Sequence, residues 1–182
     1  MRACAVGALA LFSYFRGIAP TEVPAALALS ALAEAAARPG ALRWRGVGNV
    51  LMAGAWLVFA YLFLRVGEGR SAFLSDAVKA ALLVALLVGV GLGMARLWPA
   101  AGLSKLGMSA RAAAVALMTA AALTLYWSFW PAMAGALGAL VSEAALMAVA
   151  FIGMPKDSRL AHRCAWALSY LGQVAMAYAF LR

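Results

Sequence analysis

Charged residues are scarce in this sequence, and the shortage excludes most soluble folds. Only 12% of the 182 residues are charged, whereas 67% are hydrophobic. A soluble domain usually has about 25% charged and about 45–50% apolar residues. A chain this short cannot bury so much apolar surface within itself, so lipid must cover a large part of it. The composition therefore predicts a polytopic integral membrane protein.

Residues that bind metals are also scarce. Two cysteines, Cys4 and Cys164, and the single histidine His162 are too few for a zinc site. Both cysteines fall on the predicted cytoplasmic side, where the reducing environment disfavours a disulfide. The run GVGLG at 89–93 resembles a nucleotide-binding loop only superficially, because it lies inside an apolar span that no strand precedes. We expect no metal and no cofactor.

Acidic residues are the rarest charged group, six against fifteen lysines and arginines, which gives a net charge of +9. Such an excess can indicate a nucleic-acid binder, but here it has no accompanying basic face or binding motif. The basic residues lie between apolar runs, where they determine membrane topology. We therefore expect no nucleic-acid partner.

Long apolar runs dominate the chain. A hydrocarbon core about 30 Å thick requires about 20 apolar residues of helix. Seven runs reach or approach this length: Ala3–Ala19, Thr21–Ala37, Gly46–Leu64, Val78–Ala95, Ala112–Trp130, Pro131–Ile152 and Ala161–Leu181. The first run lacks a small-x-small cleavage site and is expected to be a mature span rather than a signal peptide. The pattern predicts an all-α bundle of about seven transmembrane helices, forming one domain over residues 1–182.

The loop charges predict the orientation of this bundle. Ten basic residues fall on one side: Arg2, Arg38, Arg43, Arg45, Arg96, Lys105, Arg111, Lys156, Arg159 and Arg163. Five fall on the other: Arg16, Arg65, Arg70, Lys79 and Arg182. The richer side should be cytoplasmic, which places the N-terminus inside and the C-terminus outside a bacterial-type inner membrane. Aromatic residues cluster near the predicted outer interface, as membrane belts do: Tyr14, Tyr61, Tyr126, Trp127, Trp130 and Tyr178.

Two glutamates, Glu34 and Glu143, lie inside predicted spans. A charge at the bilayer centre costs about 2.5–3.5 kcal/mol on the insertion scale, so such residues usually face the bundle interior and have a function. The segments around the two glutamates are similar: LALSALAEAA at 27–36 contains Glu34, and ALGALVSEAA at 136–145 contains Glu143. Both segments should cross the membrane in the same direction. Two carboxyls at similar depth would form an acid and base pair. The alternatives are a structural hydrogen bond for Glu143, an interfacial carboxylate beside Arg38 for Glu34, and chance similarity of two alanine-rich segments.

Polar residues also occupy the middle of the last predicted span, where SYLGQ covers Ser169–Gln173. Tyr170 and Gln173 can contact a substrate, or they can join helices by hydrogen bonds worth about 0.6 kcal/mol each. Asn49 can likewise pair between helices.

Three segments resemble the YhhN-like lysoplasmalogenases, a family of small multispan membrane proteins. GALVSEAALMAVAF at Gly138–Phe151 and LSALAEAA at Leu29–Ala36 are similar to small-residue helices that carry the family's aspartates. SYLGQ is similar to the family's terminal Tyr-x-Gly-Gln helix. The sequence departs from the family in having glutamates in place of both aspartates. It also has no histidine in the core of any span, and it has one N-terminal helix fewer than the family usually has.

The resemblance implies hydrolysis of the vinyl-ether bond of a lysoplasmalogen, giving a fatty aldehyde and a glycerophospho-alcohol. Glu143 would then be the acid and Glu34 its partner, or the reverse. Tyr170 and Gln173 would position the head group, with Ser142 and Asn49 as further substrate contacts. The expected partner is thus a membrane lipid or lysolipid. Two other functions stay open: a small proton-coupled transporter and a non-catalytic membrane protein that keeps the fold.

Overall fold

Nearly all of the described chain is helical. The computed structural model describes residues 2–16, 20–36, 42–99, 105–149 and 158–181, and this part of the chain contains no strand. Its helices are α1 (Arg2–Arg16), α2 (Glu22–Ala36), α3 (Leu42–Val66), α4 (Ser71–Ser75), α5 (Ala77–Leu97), α6 (Lys105–Ala122), a 3-10 turn (Trp127–Phe129), α7 (Trp130–Ala148) and α8 (Ser158–Ala179). The predicted all-α class is confirmed.

Three of the described helices are long and apolar enough to cross a membrane. They are Gly46–Val66 in α3, Ala77–Leu97 in α5, and Trp127–Ala148, which combines the 3-10 turn with α7. With 15 residues each, α1 and α2 extend only about 22 Å at the usual helical rise, less than a hydrocarbon core of about 30 Å. The structure thus supports a membrane protein without itself establishing seven spans.

The helices alternate in direction along the chain. Glu22 at the start of α2 pairs with Arg65 at the end of α3. The Glu68 amide that follows α3 bonds to the Thr124 carbonyl just after α6. The Trp127 indole before α7 bonds to Asp76, which caps the start of α5. These contacts bring one set of helix ends together, here called the Trp127 end, and the opposite end is called the Arg96 end. Consequently α2, α5 and α7 run from the Trp127 end to the Arg96 end.

Neighbouring helices pack in the order α1, α2, α3, α6, α7, α8, with α5 at the periphery of α6 and α7. A row of fully buried aromatic residues on α3, Trp56, Phe59 and Phe63, forms the centre of the core. Phe63 stacks on Phe180 at the end of α8, with ring centroids 5.9 Å apart. Helices α7 and α8 pack closely because Gly135 faces the Gly172 carbonyl and a Cβ there would lie 2.5 Å from that oxygen.

Helix α6 differs from the predicted span Ala112–Trp130. It begins at Lys105 and ends at Ala122, so the predicted span is displaced and Arg111 lies within the helix rather than in a loop. The helix ends early because the carbonyl groups that follow it have other donors. The Glu68 amide reaches Thr124, and the Lys79 ammonium donates to the Leu125 carbonyl at 2.7 Å. Hydropathy alone cannot detect these long-range hydrogen bonds, since Leu123 and Leu125 are apolar.

The remaining boundaries lie close to the prediction, apart from one added element. The short helix α4 lies in the connection predicted as an outer loop. Residues 150–152, the end of the predicted sixth span, lie outside the described residues. The six aromatic residues predicted for the outer belt are all exposed: Tyr14, Tyr61, Tyr126, Trp127, Trp130 and Tyr178. An exposed aromatic rim of this kind is typical of a membrane interface.

Candidate functional site

Glu143 forms a buried ion pair with Arg111. Glu143 is 2% exposed on α7, and its Oε1 accepts a hydrogen bond of 2.9 Å from Nη2 of Arg111. Arg111 Nε lies 2.7 Å from Oε2 of the same carboxylate. Neither of these last two atoms forms an aligned hydrogen bond, so their contact is mainly ionic. Two nitrogens of one guanidinium thus face the two oxygens of one carboxylate, an arrangement that holds both groups in a fixed geometry.

Asn49 and Glu34 also interact with Arg111. The Asn49 side-chain oxygen on α3 accepts from Nη1 of Arg111 at 3.0 Å. Glu34, half-buried on α2, interacts electrostatically with the same guanidinium. We call these four residues the Arg111 cluster: Glu34, Asn49, Arg111 and Glu143. Helices α3, α6 and α7 thus bring one polar side chain each into direct contact, and α2 adds the electrostatic interaction of Glu34.

Both predicted glutamates interact with one cation, Arg111: Glu143 by direct contact and Glu34 electrostatically. The sequence indicated a pair of carboxyls that would repel each other, whereas here both interact with one guanidinium. Arg111 was missed because it was assigned to a loop before the predicted span Ala112–Trp130. The sequence does contain a signal that Arg111 belongs to the helix. No proline or glycine separates Arg111 from the apolar run that follows, so the helix can begin before Arg111. Arg38, the alternative neighbour for Glu34, lies outside the described residues.

The other predicted site residues lie on α7 and α8. The Ser142 hydroxyl, fully buried, donates to the Ala165 carbonyl on α8 at 2.7 Å. Tyr170 stacks on Trp166, with ring centroids 5.6 Å apart. Gln173 is buried on α8, and among the described residues its amide oxygen has no hydrogen-bond partner. None of these contacts involves the Arg111 cluster, and substrate contact by the three residues stays a prediction.

An apolar groove opens beside Glu143. It has a volume of about 410 Å³ and lies between α5, α6 and α7. This size is within the range of about 300–1,000 Å³ that small-molecule sites occupy. Its charged lining residues are Glu143 and Arg96, and the other lining residues, such as Gly89, Val115 and Leu140, are apolar. We call this space the side groove. It is open to the surface, because several of its lining residues are exposed, including Gly93, Val141 and Ala144.

The side groove exists because α5 is attached to the bundle mainly at its two ends. At the Trp127 end, the Asp76 carboxylate accepts from the Trp127 indole at 2.7 Å, and the buried Lys79 donates to Leu125. At the Arg96 end, Leu97 packs with Met108. The middle of α5 carries Gly89 and Gly93, where an added Cβ would meet nothing within 4 Å. Small residues at the centre of a helix fixed at its ends leave an open space alongside the bundle.

Asp76, at the Trp127 end of α5, is a carboxylate whose pKa is changed by its neighbours. The hydrogen bond from the Trp127 indole lowers the pKa of Asp76 below its ordinary value of 3.8, and the Lys79 ammonium acts in the same direction. The Asp76 side chain also accepts from the amides of Val78 and Lys79, so it is the N-cap of α5. Lys79 itself is 2% exposed and lies 3.9 Å from a Glu68 oxygen. The sequence had placed Lys79 among the outer loop charges, but its side chain is buried.

Comparison with known proteins returned no relationship for this chain. It matches no protein-family model, no curated protein and no solved structure at a significant level. The site must therefore be interpreted from its own chemistry: a buried Glu–Arg pair beside an apolar groove that opens to the surface.

Proposed function

We propose that this chain is a seven-span inner-membrane protein that binds a single-chain lipid and hydrolyses its vinyl-ether bond, as the resemblance to the YhhN-like lysoplasmalogenases implies. The observation that carries the proposal is Glu143, a carboxylate that lines an apolar groove of about 410 Å³. Such a groove suits a lipid tail, and a carboxylate in its wall is adjacent to whatever bond the tail carries. No metal or cofactor is needed for this reaction.

The chemistry requires one proton donor and one water molecule. Protonation of the vinyl carbon converts the enol ether into an oxocarbenium ion, which a carboxylate stabilises. Water then adds to this cation, and the resulting hemiacetal breaks its C–O bond to release a fatty aldehyde and the glycerophospho-alcohol. The atoms balance with one water consumed and no net change in protons.

Arg111 governs when Glu143 can act as an acid. While the guanidinium faces Glu143, both oxygens of the carboxylate are engaged by Arg111. Glu34 competes for the same guanidinium. In this mechanism Arg111 shifts toward Glu34, and Glu143, left buried without its counter-ion, binds a proton and donates it to the substrate. Glu34 is thus the partner of Glu143 through Arg111 rather than by direct contact.

The test is aldehyde release by purified protein in detergent. An alkenyl-lysophospholipid should yield aldehyde, whereas its saturated ether analogue should not, because only the vinyl ether forms a stabilised cation on protonation. Glu143→Gln and Glu34→Gln should each lower turnover by at least about a hundredfold. Glu22→Gln is the matched control, since Glu22 pairs with Arg65 at the Trp127 end, away from the groove. Absence of aldehyde from well-folded protein would contradict the proposal.

A proton-coupled transporter is the second candidate, and one observation favours it. Two carboxylates on different helices interact with one arginine, and such competition is a means of coupling proton binding to helix movement. Proton uptake by vesicles that contain the protein, abolished by Glu143→Gln without any aldehyde release, would support transport. Absence of both activities would favour the third candidate, a non-catalytic membrane protein that keeps the fold.

A further inference from the structure

Most of the side groove is lined by apolar residues, but one end of it is polar because Arg96 lies there. Arg96 lies in the last turn of α5, lines the groove, and is exposed. Among the described residues no carboxylate forms an ion pair with it, in contrast to Arg65 and Arg111. Its neighbour Lys105 lies over the Trp98 ring, 5.3 Å from the centroid, and does not line the groove. Arg96 is therefore the positive charge that the groove presents to a ligand.

The order of groups along the groove matches the order of groups in a lysophospholipid. Arg96 lies one residue before Leu97, which packs with Met108 and Met147 in one apolar cluster. Glu143 precedes Met147 by one helical turn, about 6 Å along α7 at 1.5 Å per residue. Beyond Glu143 toward the Trp127 end the lining is apolar, with Leu140, Val115 and Gly89. A ligand would thus meet a cation, then a carboxylate about a turn away, then a hydrocarbon surface.

We infer that the side groove binds a single-chain phospholipid, with its phosphate on the Arg96 guanidinium and its tail between α5, α6 and α7. A guanidinium recognises phosphate through paired N–H donors, and the exposed middle of α5 lets the tail slide in sideways from the bilayer. The lipid enters from the leaflet at the Arg96 end, which the excess of basic residues predicts to be cytoplasmic. This inference names the substrate class of the proposed hydrolase and so rests on that function for its biological meaning. Its test, however, requires only binding.

The experiment compares two probes with the same tail, palmitoyl-glycerol phosphate and uncharged monopalmitoyl-glycerol, by calorimetric titration into protein in a non-ionic detergent. The phosphate lipid should bind at least about tenfold more tightly than the uncharged one, as expected for a charge-assisted contact. Arg96→Gln should remove this preference, and Arg96→Lys should restore part of it. Lys105→Gln is the matched control, because it deletes a cation at the same end of the protein without touching the groove, and it should leave the preference unchanged.

A second variant tests the position of the tail. Gly93→Leu places a side chain in the groove, and the protein should still fold because a Cβ there would meet nothing within 4 Å. It should weaken binding of both probes equally. Equal affinities of the two probes for the native protein, the same loss in Lys105→Gln as in Arg96→Gln, or unchanged binding by Gly93→Leu would each overturn the inference.

Failure of this binding inference and failure of the proposed hydrolase function would give different results. Selective binding of the phosphate lipid without aldehyde release would exclude hydrolysis and leave the lipid site intact. Aldehyde release with the same KM in Arg96→Gln and native protein would support hydrolysis and overturn the role of Arg96.

Discussion

At the residue scale, Arg111 is the most informative side chain in this protein. It contacts Asn49 and Glu143 directly and interacts with Glu34, so polar groups on three other helices depend on one cation. Removing a charged pair from water is unfavourable, and deleting only one partner leaves an uncompensated buried charge. The stability of the bundle should therefore respond to changes at Arg111.

We expect the Arg111–Glu143 pair to behave as one unit in unfolding experiments. Arg111→Gln should lower the free energy of unfolding by about 3–5 kcal/mol, because it leaves the Glu143 charge buried without its counter-ion. Glu143→Gln should cost less, because Arg111 is partly exposed and keeps its interactions with Asn49 and Glu34. The double variant should lose clearly less than the sum of the two, since no unpaired charge remains. Thermal or denaturant unfolding in detergent provides the measurement. Additive losses would show that the two side chains do not interact in the folded protein.

Asp76 should make the attachment of α5 sensitive to acid. Its pKa is lowered in the folded protein, mainly by the Trp127 indole, so its stabilising contribution is present above the ordinary value of 3.8. That contribution is lost as the pH falls through the lower folded value, where the carboxylate takes up a proton. Trp127 and Lys79 are the groups that face it.

The test is the melting temperature of detergent-solubilised protein, measured from about pH 6 down to about pH 2.5. Native protein should lose more stability over this range than Asp76→Asn, whose amide cannot titrate. Identical pH profiles for the two proteins would mean that the Asp76 charge does not contribute to holding α5.

At the element scale, the contact between α7 and α8 depends on two glycines. A Cβ at Gly172 would lie 2.6 Å from the Gly135 carbonyl oxygen, and a Cβ at Gly135 would lie 2.5 Å from the Gly172 carbonyl oxygen. Both neighbours include backbone, which cannot move aside without separating the helices. Close approach of this kind is how helices associate where the surrounding lipid is as apolar as their side chains.

Gly172→Ala should therefore lower the free energy of unfolding by about 1–3 kcal/mol, the usual effect of overpacking. Gly91→Ala is the matched control, because a Cβ at that position would meet nothing within 4 Å. This control should be neutral or gain up to about 1 kcal/mol from the better helix propensity of alanine. A loss in Gly91→Ala as large as that in Gly172→Ala would mean that α7 and α8 are not packed as described.

The elements were more predictable than the site. Six of the seven predicted spans overlap a helix almost completely, because long apolar runs permit little else in a membrane. The exception, α6, is displaced by partners that are distant in the chain, Glu68 and Lys79. Because of this displacement, Arg111 was assigned to a loop and was not identified from the sequence as a site residue. Glu143 and Glu34 could be identified from the sequence as candidate site residues, because charged residues inside an apolar span are rare. The side groove could not be predicted, since it depends on how α5 is attached at its ends.

At the scale of the whole molecule, the alternating helix directions and the exposed aromatic rim agree with a protein that passes back and forth through a bilayer. Exposed apolar side chains cover much of α5, for example Val84, Leu87 and Leu92. Such a surface is stable only when lipid or another protein covers it. The side groove opens through this same surface, which gives a bilayer lipid direct access.

The proposed topology predicts opposite locations for the two termini. With seven spans, the N-terminus should be inside and the C-terminus outside, because the basic residues favour this orientation by nine to four even when Arg111 and Lys79, ten minus one and five minus one, are left out. An alkaline phosphatase fused to the C-terminus should be active, and a fluorescent protein that matures only in the cytoplasm should be dark there. The reverse result would mean that one of the short helices α1 and α2 does not span.

The central claim is that the side groove, rather than the general lipid-facing surface, holds a lipid chain beside Glu143. The most direct measurement is photo-crosslinking of membranes that contain the protein and a single-chain phospholipid with a diazirine in its tail, followed by peptide mapping. We expect labelling to concentrate on groove-lining residues of α5 and α7, such as Val90, Leu140 and Ala144. Labelling spread equally over lipid-facing residues outside the groove, such as Val84 and Leu92, would contradict the account.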